Sequence, residues 1–357
     1  MKAKINRKDL IEITEKLRKV IWSGAEVFIT IIANSNYSVK LIVLKDVKVM
    51  YMMPAEVSDM ELCVTIPTTK LLAFLKREEC DYVEISDLRE LKSYEVKGDK
   101  NVLTGIIDRM AFEPIVHKDI YDFAIYESKG IYNAFHASKG IIDHRHSVKE
   151  YRYLFIEGNI AFATDNNIFS MFNIKEVNGD LNFSTTIPTF ALMPVTKLIK
   201  HTGCKDVKFL NTDISLIVEA DGIILVTTYN KSDYIDYPLL TSIYEGGYTI
   251  EFNINKDLLE SAVLNILETE SGGEVLHLQK NGNVSTISIK DGKKIDIPIS
   301  GENFFIEITS RALLTAARIE ESETVKFILN PLKGILKMNL ENINIFTNFT
   351  GVKNLQI

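Results

Sequence analysis

The chain has 357 residues, 46% of them hydrophobic and 25% charged, with 41 basic against 48 acidic side chains and a formal charge of -7. A single hydrophobic core rarely grows past about 300 residues, so more than one domain is implied, and the composition excludes a disordered or fibrous chain. Net acidity excludes wholesale coating of nucleic acid by the outer surface but leaves room for a local basic lining.

The start, Met1-Lys2-Ala3-Lys4-Ile5, leads into a charged segment, and the apolar run 27–33 is too short to cross a bilayer, so the chain reads as cytoplasmic. Over 6–20, Leu10, Ile13, Leu17 and then Ile21 recur at three- and four-residue steps. That spacing predicts a helix with one apolar stripe, and Asn6 stands where an N-cap belongs. The alternating β-branched run 37–43 predicts a strand. Ile66-Pro67-Thr68-Thr69-Lys70-Leu71-Leu72 opens a second helix, and strands are predicted at 83–85, 94–96 and 102–107. A helix over 126–142 then begins the pattern again. Ile187-Pro188-Thr189-Phe190-Ala191-Leu192-Met193 matches the earlier opening, and strands follow at 207–209, 216–218 and 223–228. A third round has a helix over 255–270 capped by Asn255, a strand at 283–289, the fainter opening Ile308-Thr309-Ser310-Arg311-Ala312-Leu313-Leu314, and strands at 325–327, 336–338 and 343–347. Ile66, Ile187 and Ile308 are 121 residues apart (187 - 66 and 308 - 187). A repeat of that length and order predicts an α+β chain of three similar domains, each with two helices packed on antiparallel sheets, at 1–121, 122–244 and 245–357.

Catalytic and metal chemistry find little support. No P-loop, Gly-x-Gly-x-x-Gly, His-Glu-x-x-His or Gly-x-Ser-x-Gly pattern occurs. Cys63, Cys80 and Cys204 form no Cys-x-x-Cys pair and read as small buried hydrophobes. Asp143-His144-Arg145-His146 offers three potential ligands, but Arg145 opposes a cation and the segment reads as a polar loop. Asp233 and Asp236 read as solvated turn residues. The expectation is a non-enzyme without metal or cofactor.

The threefold architecture is similar to the bacterial DNA polymerase III beta subunit, the β sliding clamp. Tyr151-Arg152-Tyr153-Leu154-Phe155-Ile156-Glu157-Gly158 followed by Ala163-Thr164-Asp165 resembles the family's middle domain, where an Arg-Tyr-rich loop enters a strand ending in an Ala-Thr-Asp turn. Ile187-Pro188 matches a hydrophobic-Pro helix start, and Tyr234-Ile235-Asp236-Tyr237-Pro238-Leu239-Leu240 resembles a Phe-Pro-Asp-Tyr stretch. The resemblance spans the whole chain in order. It implies a processivity factor: three clamp domains forming half of a ring, a homodimer closed by edge-strand pairing around double-stranded DNA without sequence preference, and a tether for a DNA polymerase and clamp loader through short linear peptides. It also implies a peptide pocket at Thr164, Asp165, Ile168, Phe169, Leu239, Leu240, Phe346 and Phe349; the reading in which these residues merely close a core between two domains stays open. Departures are visible at Thr164-Asp165-Asn166-Asn167-Ile168-Phe169, at the C-terminal Ile345 to Val352, and at Ser23-Gly24-Ala25-Glu26, which lacks a basic residue. They imply a divergent clamp, with a phage or mobile element among the origins open to it, and a partner peptide more hydrophobic and less acidic than the bacterial consensus.

Charge bears on this expectation. The candidate inner helices carry +2 (6–20), +1 (67–79), +1 (126–142), +2 (188–203), -3 (255–270) and 0 (309–321), a net +3 inside a chain of -7. Twelve helices of a six-domain ring spaced by roughly 9 Å would leave a water-filled hole wide enough for a duplex. On 188–203, Lys197, Lys200 and His201 oppose Leu192, Val195 and Ile199, and Lys8 and Lys19 oppose the Leu10 stripe. These lysines, with Lys149, Tyr151, Arg152 and Tyr153 before the middle-domain strand, are the candidate DNA contacts. From the residues alone the tyrosines read equally well as core or edge-strand residues and as DNA contacts. The competing class is a clamp-shaped peptide-binding scaffold that does not encircle DNA.

Overall fold

The structure, a computed structural model of the chain, describes residues 1–21, 26–44, 47–58, 62–106, 120–142, 145, 147–165, 167–180, 182–228, 237–244, 246–269, 274–290, 292–319, 322–340 and 342–349. Among them one order of elements occurs three times. The first copy is β1 (Lys2–Asn6), α1 (Arg7–Ile21), β2 (Phe28–Ser35), β3 (Ser38–Leu44), β4 (Lys48–Pro54), β5 (Glu56–Val57), β6 (Cys63–Pro67), α2 (Thr68–Arg77), β7 (Tyr82–Leu88), β8 (Ser93–Lys97) and β9 (Val102–Ile106). The second is β10 (Asp122–Glu127), α3 (Ser128–Ser138), β11 (Tyr153–Glu157), β12 (Ile160–Thr164), β13 (Ile168–Asn173), β14 (Glu176–Gly179), β15 (Ser184–Pro188), α4 (Thr189–Thr202), β16 (Asp206–Asn211), β17 (Ser215–Ala220) and β18 (Ile223–Thr228). After α5 (Tyr237–Tyr244) comes the third: β19 (Ile250–Asn255), α6 (Lys256–Thr269), β20 (Val275–Asn281), β21 (Val284–Ser288), β22 (Lys294–Asp296), β23 (Ile299–Gly301), β24 (Phe304–Thr309), α7 (Ser310–Ala317), β25 (Thr324–Asn330), β26 (Ile335–Leu340) and β27 (Ile343–Asn348).

Local chemistry explains these elements. Asn6 caps α1 by accepting from the Asp9 amide at 3.1 Å, and Asn255 caps α6 by accepting from the Asp257 and Leu258 amides at 3.1 Å each. Leu10, Ile13, Leu17, Val20 and Ile21 of α1 are buried as the three-and-four spacing predicts. The second-copy helix is shorter than 126–142: Tyr126 and Glu127 stay in β10, paired with Val207 and Asp206, because the ladder satisfies their backbone groups there. The last helix stops at Ala317 rather than near 321. Asp221 and Gly222, both at positive φ (50° and 72°), make the tight hairpin from β17 to β18 that an Asp-Gly pair favours.

Each copy contributes a five-stranded half-sheet and a four-stranded one, built on antiparallel pairings. In the first copy these are β5-β1-β7-β8-β9 and β4-β3-β2-β6. Between copies the halves fuse. β18 pairs with β4 (Ile223↔Tyr51 to Val226↔Lys48), giving the nine-stranded sheet β14-β10-β16-β17-β18-β4-β3-β2-β6. β27 pairs with β13 (Ile168↔Thr347 to Phe172↔Ile343), giving β15-β11-β12-β13-β27-β26-β25-β19-β23. Among the described residues two halves remain separate, the five strands ending in β9 and the four strands β22-β21-β20-β24.

Packing divides the chain into two compact units that follow the fused sheets. One comprises Met1–Ser128, Val177–Asp180 and Phe190–Tyr229. Across its β18–β4 junction, Ile42, Met50, Leu210, Ile217 and Val226 form one apolar layer. The other comprises Lys129–Glu176, Leu181–Thr189 and Asn230–Ile357. Across its β13–β27 junction the layer is aromatic: Phe155, Phe162, Phe169 and Phe346, with Ile335.

Candidate functional site

In the first unit the cations expected to meet phosphate come from α1 and α4. Each helix turns its apolar face inward, α1 through Leu10, Ile13 and Leu17 and α4 through Ala191, Leu192, Val195 and Leu198, so the lysines are left to solvent. Lys8, Lys19 and Lys200 are exposed, and Lys197 is half-buried. Among the described residues no carboxylate pairs with Lys8, Lys19 or Lys200, in contrast to Lys16, which is held by Glu12 at 2.9 Å, and Lys76, held by Glu15 at 2.5 Å. Lys19 and Lys200 converge on His201. Burial, then the Lys19, Lys200 and Lys197 ammonium groups, hold the His201 imidazole below its ordinary range. His201 is the member sequence reasoning noted on this face but did not count as a contact.

The other expected DNA contacts lie in the second unit. Lys149 to Arg152 form a 3₁₀ turn that feeds β11, with Lys149 exposed and Tyr151, Arg152 and Tyr153 half-buried. The Arg152 carbonyl accepts from the Thr189 hydroxyl at 2.5 Å, which fixes the turn at the Pro188 end of β15. Tyr153 packs against the aromatic layer, with its ring 6.5 Å from that of Phe155. This turn adjoins the residues expected to form a peptide pocket. Burial above all, with Tyr151 and Asp165 nearby, pushes the Tyr244 hydroxyl above the ordinary phenol range.

Of the expected pocket residues, Phe169 and Phe346 meet in one aromatic layer. Thr164, Asp165, Ile168, Phe169, Phe346 and Phe349 are all buried. Phe169 stacks on Tyr244 at 5.1 Å and on Phe346 at 5.7 Å, with Tyr244 and Phe346 themselves 5.1 Å apart. The backbone of Leu239 and Leu240 lies in α5, the helix that carries Tyr244. Tyr244 and Tyr248, whose hydroxyl donates to the Tyr244 carbonyl at 2.6 Å, were absent from the sequence-based set. The signal available was a pair of tyrosines four residues apart, with Pro238 near a helix start.

Asp165 is a structural anchor. One carboxylate oxygen accepts from the Asn167 and Ile168 amides at 3.0 and 2.8 Å, closing the β12–β13 turn, and the other accepts from Arg311 at 2.7 Å. The same guanidinium donates to the Gly140 carbonyl at 2.6 Å and to the Ile141 carbonyl at 2.5 Å. Beside it lies a cleft of about 440 Å³ between α3 and α7, whose lining includes His136, Lys139, Arg311 and Arg318. Arg318 is tied to Glu260 of α6 at 2.9 Å.

Of the proposed metal segment, Asp143, His144 and His146 lie outside the described residues, as do Asp233 and Asp236. Among the described residues one metal-type group occurs, Glu78, Cys80 and Asp99, with ligand atoms within 4.8 Å of one another. Both Glu78 oxygens are already used, accepting from the Lys100 amide at 3.0 Å and from the Asn101 side chain at 2.5 Å, so its role is to cap the β8–β9 turn. No helix among the described residues is long and apolar enough to cross a membrane.

No family model and no curated protein matches the chain. Solved structures do. The DNA polymerase III beta chain of Streptococcus pneumoniae TIGR4 is similar at a TM-score of 0.80 and 12% identity, covering 98% of this chain and 99% of that one. The beta subunit of DNA polymerase of Streptococcus pyogenes is similar at 0.79 and 14%, covering 98% and 100%. The Helicobacter pylori beta clamp bound to a DNA ligase peptide is similar at 0.75 and 15%, again covering 98% and 100%. The chain therefore has the three-repeat α+β fold of bacterial sliding clamps.

Proposed function

We propose that the chain is a DNA sliding clamp, a non-catalytic processivity factor that encircles duplex DNA as a homodimeric ring and tethers a DNA polymerase and other partners by short peptides. The carrying observation is the arithmetic of the half-sheets. The second copy's last strand, β18, joins the first copy's β4, and the third copy's last strand, β27, joins the second copy's β13. Among the described residues, the corresponding strands left unjoined are β9, the last of the first copy, and β22, the third copy's counterpart of β4 and β13. Pairing β9 with β22 of a second copy repeats the rule the chain uses twice within itself, and two such junctions close a symmetric head-to-tail ring of the six domains that 1–121, 122–244 and 245–357 provide. β9 suits this role, since Val102 is 51% and Ile106 82% exposed on a sheet edge.

Lys8 and Lys19 of α1 and Lys200 of α4, held by no carboxylate among the described residues, support a positive, sequence-indifferent lining. The adjoining Tyr151 turn and aromatic layer support a peptide site, as the ligase peptide on the Helicobacter pylori clamp also suggests. One observation favours the non-encircling scaffold: the solvent side of α6 carries Asp257, Glu260 and Glu268 against a single Lys256. Retention on nicked circular DNA with loss upon linearisation is the expected result. Equal retention on both forms, or none on either, would overturn the ring.

A further inference from the structure

We propose that the solvent-facing stripe of α4 is a contact surface for single-stranded DNA, an inference that rests on the reading above that this face meets DNA. Residues 190, 193, 197 and 200 follow one another at three, four and three residues, so Phe190, Met193, Lys197 and Lys200 lie along one side of the helix. Phe190 is 42% and Met193 46% exposed, while Ala191, Leu192, Val195 and Leu198 on the other side are buried. The stripe thus has an apolar, aromatic end and a cationic end about 15 Å apart along the axis, and Lys19 of α1 adds charge beside His201.

The internal repeat shows that the aromatic end is peculiar to the second copy. Phe190 aligns with Thr69 in α2 and with Arg311 in α7. The Thr69 hydroxyl donates to Glu26, and Arg311 is bound by Asp165 and two carbonyls, so both alternatives are polar and engaged. Met193 aligns with Leu72, which is buried. Pro194 also brings no N–H to the Phe190 carbonyl, leaving that acceptor without its helical donor beside the exposed ring.

A duplex offers such a surface only phosphates, because its base faces are stacked inside, and lysines alone would serve. A single strand offers phosphates and unstacked base faces together, which matches a ring and cations spaced along one helix face.

The test measures fluorescence anisotropy of a labelled duplex, blunt or carrying an oligo-dT tail, and of free oligo-dT, against the full-length protein. The tail should tighten binding by the parent. Phe190→Ala should lose that gain, at least about fivefold, with blunt-duplex affinity unchanged, and Phe190→Trp should keep it. Phe190→Leu should behave as Phe190→Ala. If Leu preserves tail binding, the ring is not a stacking platform and the surface is an apolar protein-docking face, which overturns the inference. A parent indifferent to the tail but retained on nicked circles also overturns it, with the clamp reading intact. A parent that binds none of these DNAs and is not retained on circles removes both.

Discussion

Arg311 and Asp165 lie 2.7 Å apart, nitrogen to oxygen, and join the start of α7 to the β12–β13 turn that leads into Phe169. The carboxylate is almost wholly buried while the guanidinium remains half exposed, so the two ends of this ion pair are not equivalent. Asp165→Ala removes the acceptor for two backbone amides and the arginine together, and should destabilise by about 2–3 kcal/mol. Arg311→Ala leaves a buried carboxylate that still accepts from both amides, and should cost less. Urea unfolding should give the midpoint order parent, Arg311→Ala, Asp165→Ala; the reverse order for the two variants would contradict the assignment.

The edge strands yield a prediction about mass. Ile106→Glu and Val102→Glu place charges on the exposed edge strand β9, where the single-chain fold has no need of the apolar side chain. In sedimentation equilibrium the parent should weigh two chains and the double variant one, with unchanged circular dichroism. A double variant as dimeric as its parent would mean that β9 is not the interface.

How much of this was legible in the sequence follows from what each feature depends on. The 121-residue repeat, the Asn6 and Asn255 caps and the Leu10 stripe are local or periodic, and they stand as read. Two-residue β5 and three-residue β22 and β23 are too short to carry a period, and the eight residues of α5, with a Pro at the second, are too few for a helical spacing to stand out. The Arg311 bridge joins residues 146 positions apart, and nothing local marks either partner. The burial of Phe169 and Phe346 was invisible for the same reason: an apolar residue in a strand reads alike whether it lines a pocket or closes a layer.

That burial changes how the peptide site should be probed. Phe169 is fully buried, so Phe169→Ala should cost about 3–5 kcal/mol and report on folding before binding. Leu240→Ala in α5 is the more discriminating variant. We expect it to weaken a polymerase-tail peptide several-fold in a calorimetric titration while the unfolding transition stays in place; unchanged affinity with the fold intact would remove Leu240 from the pocket.

Tyr248 supplies a test at high pH. Burial first, and then Tyr244, push its hydroxyl up to about 12, above the ordinary phenol value near 10. The folded state therefore holds a proton that the unfolded state releases earlier. This contribution to stability is fully present below about pH 10 and is lost as pH rises through 12. Urea midpoints should fall over that interval, and the fall should be smaller in Tyr248→Phe; identical slopes in the two proteins would show that Tyr248 does not carry the effect.

His201 links the DNA reading to mild acid. Burial and the three lysines keep its folded pKa below the unfolded value, so at neutral pH it is uncharged, and its contribution to stability is lost as pH falls through the depressed folded pKa. A phosphate drawn to Lys19, Lys197 and Lys200 would cancel the repulsion that keeps the proton off and raise the imidazole pKa. DNA binding should then take up a proton, and affinity should rise more steeply below pH 6.5 than the lysines alone allow, since their charge does not change there. His201→Gln should remove that extra rise. Lys197→Ala and Lys200→Ala with Arg152→Ala should instead lower affinity at every pH and reduce the salt slope by about 0.9 for each phosphate no longer neutralised. Duplex affinities measured from pH 5.5 to 8 at fixed salt separate the two effects. A parent and His201→Gln with parallel profiles would mean that phosphate does not approach this end of α4.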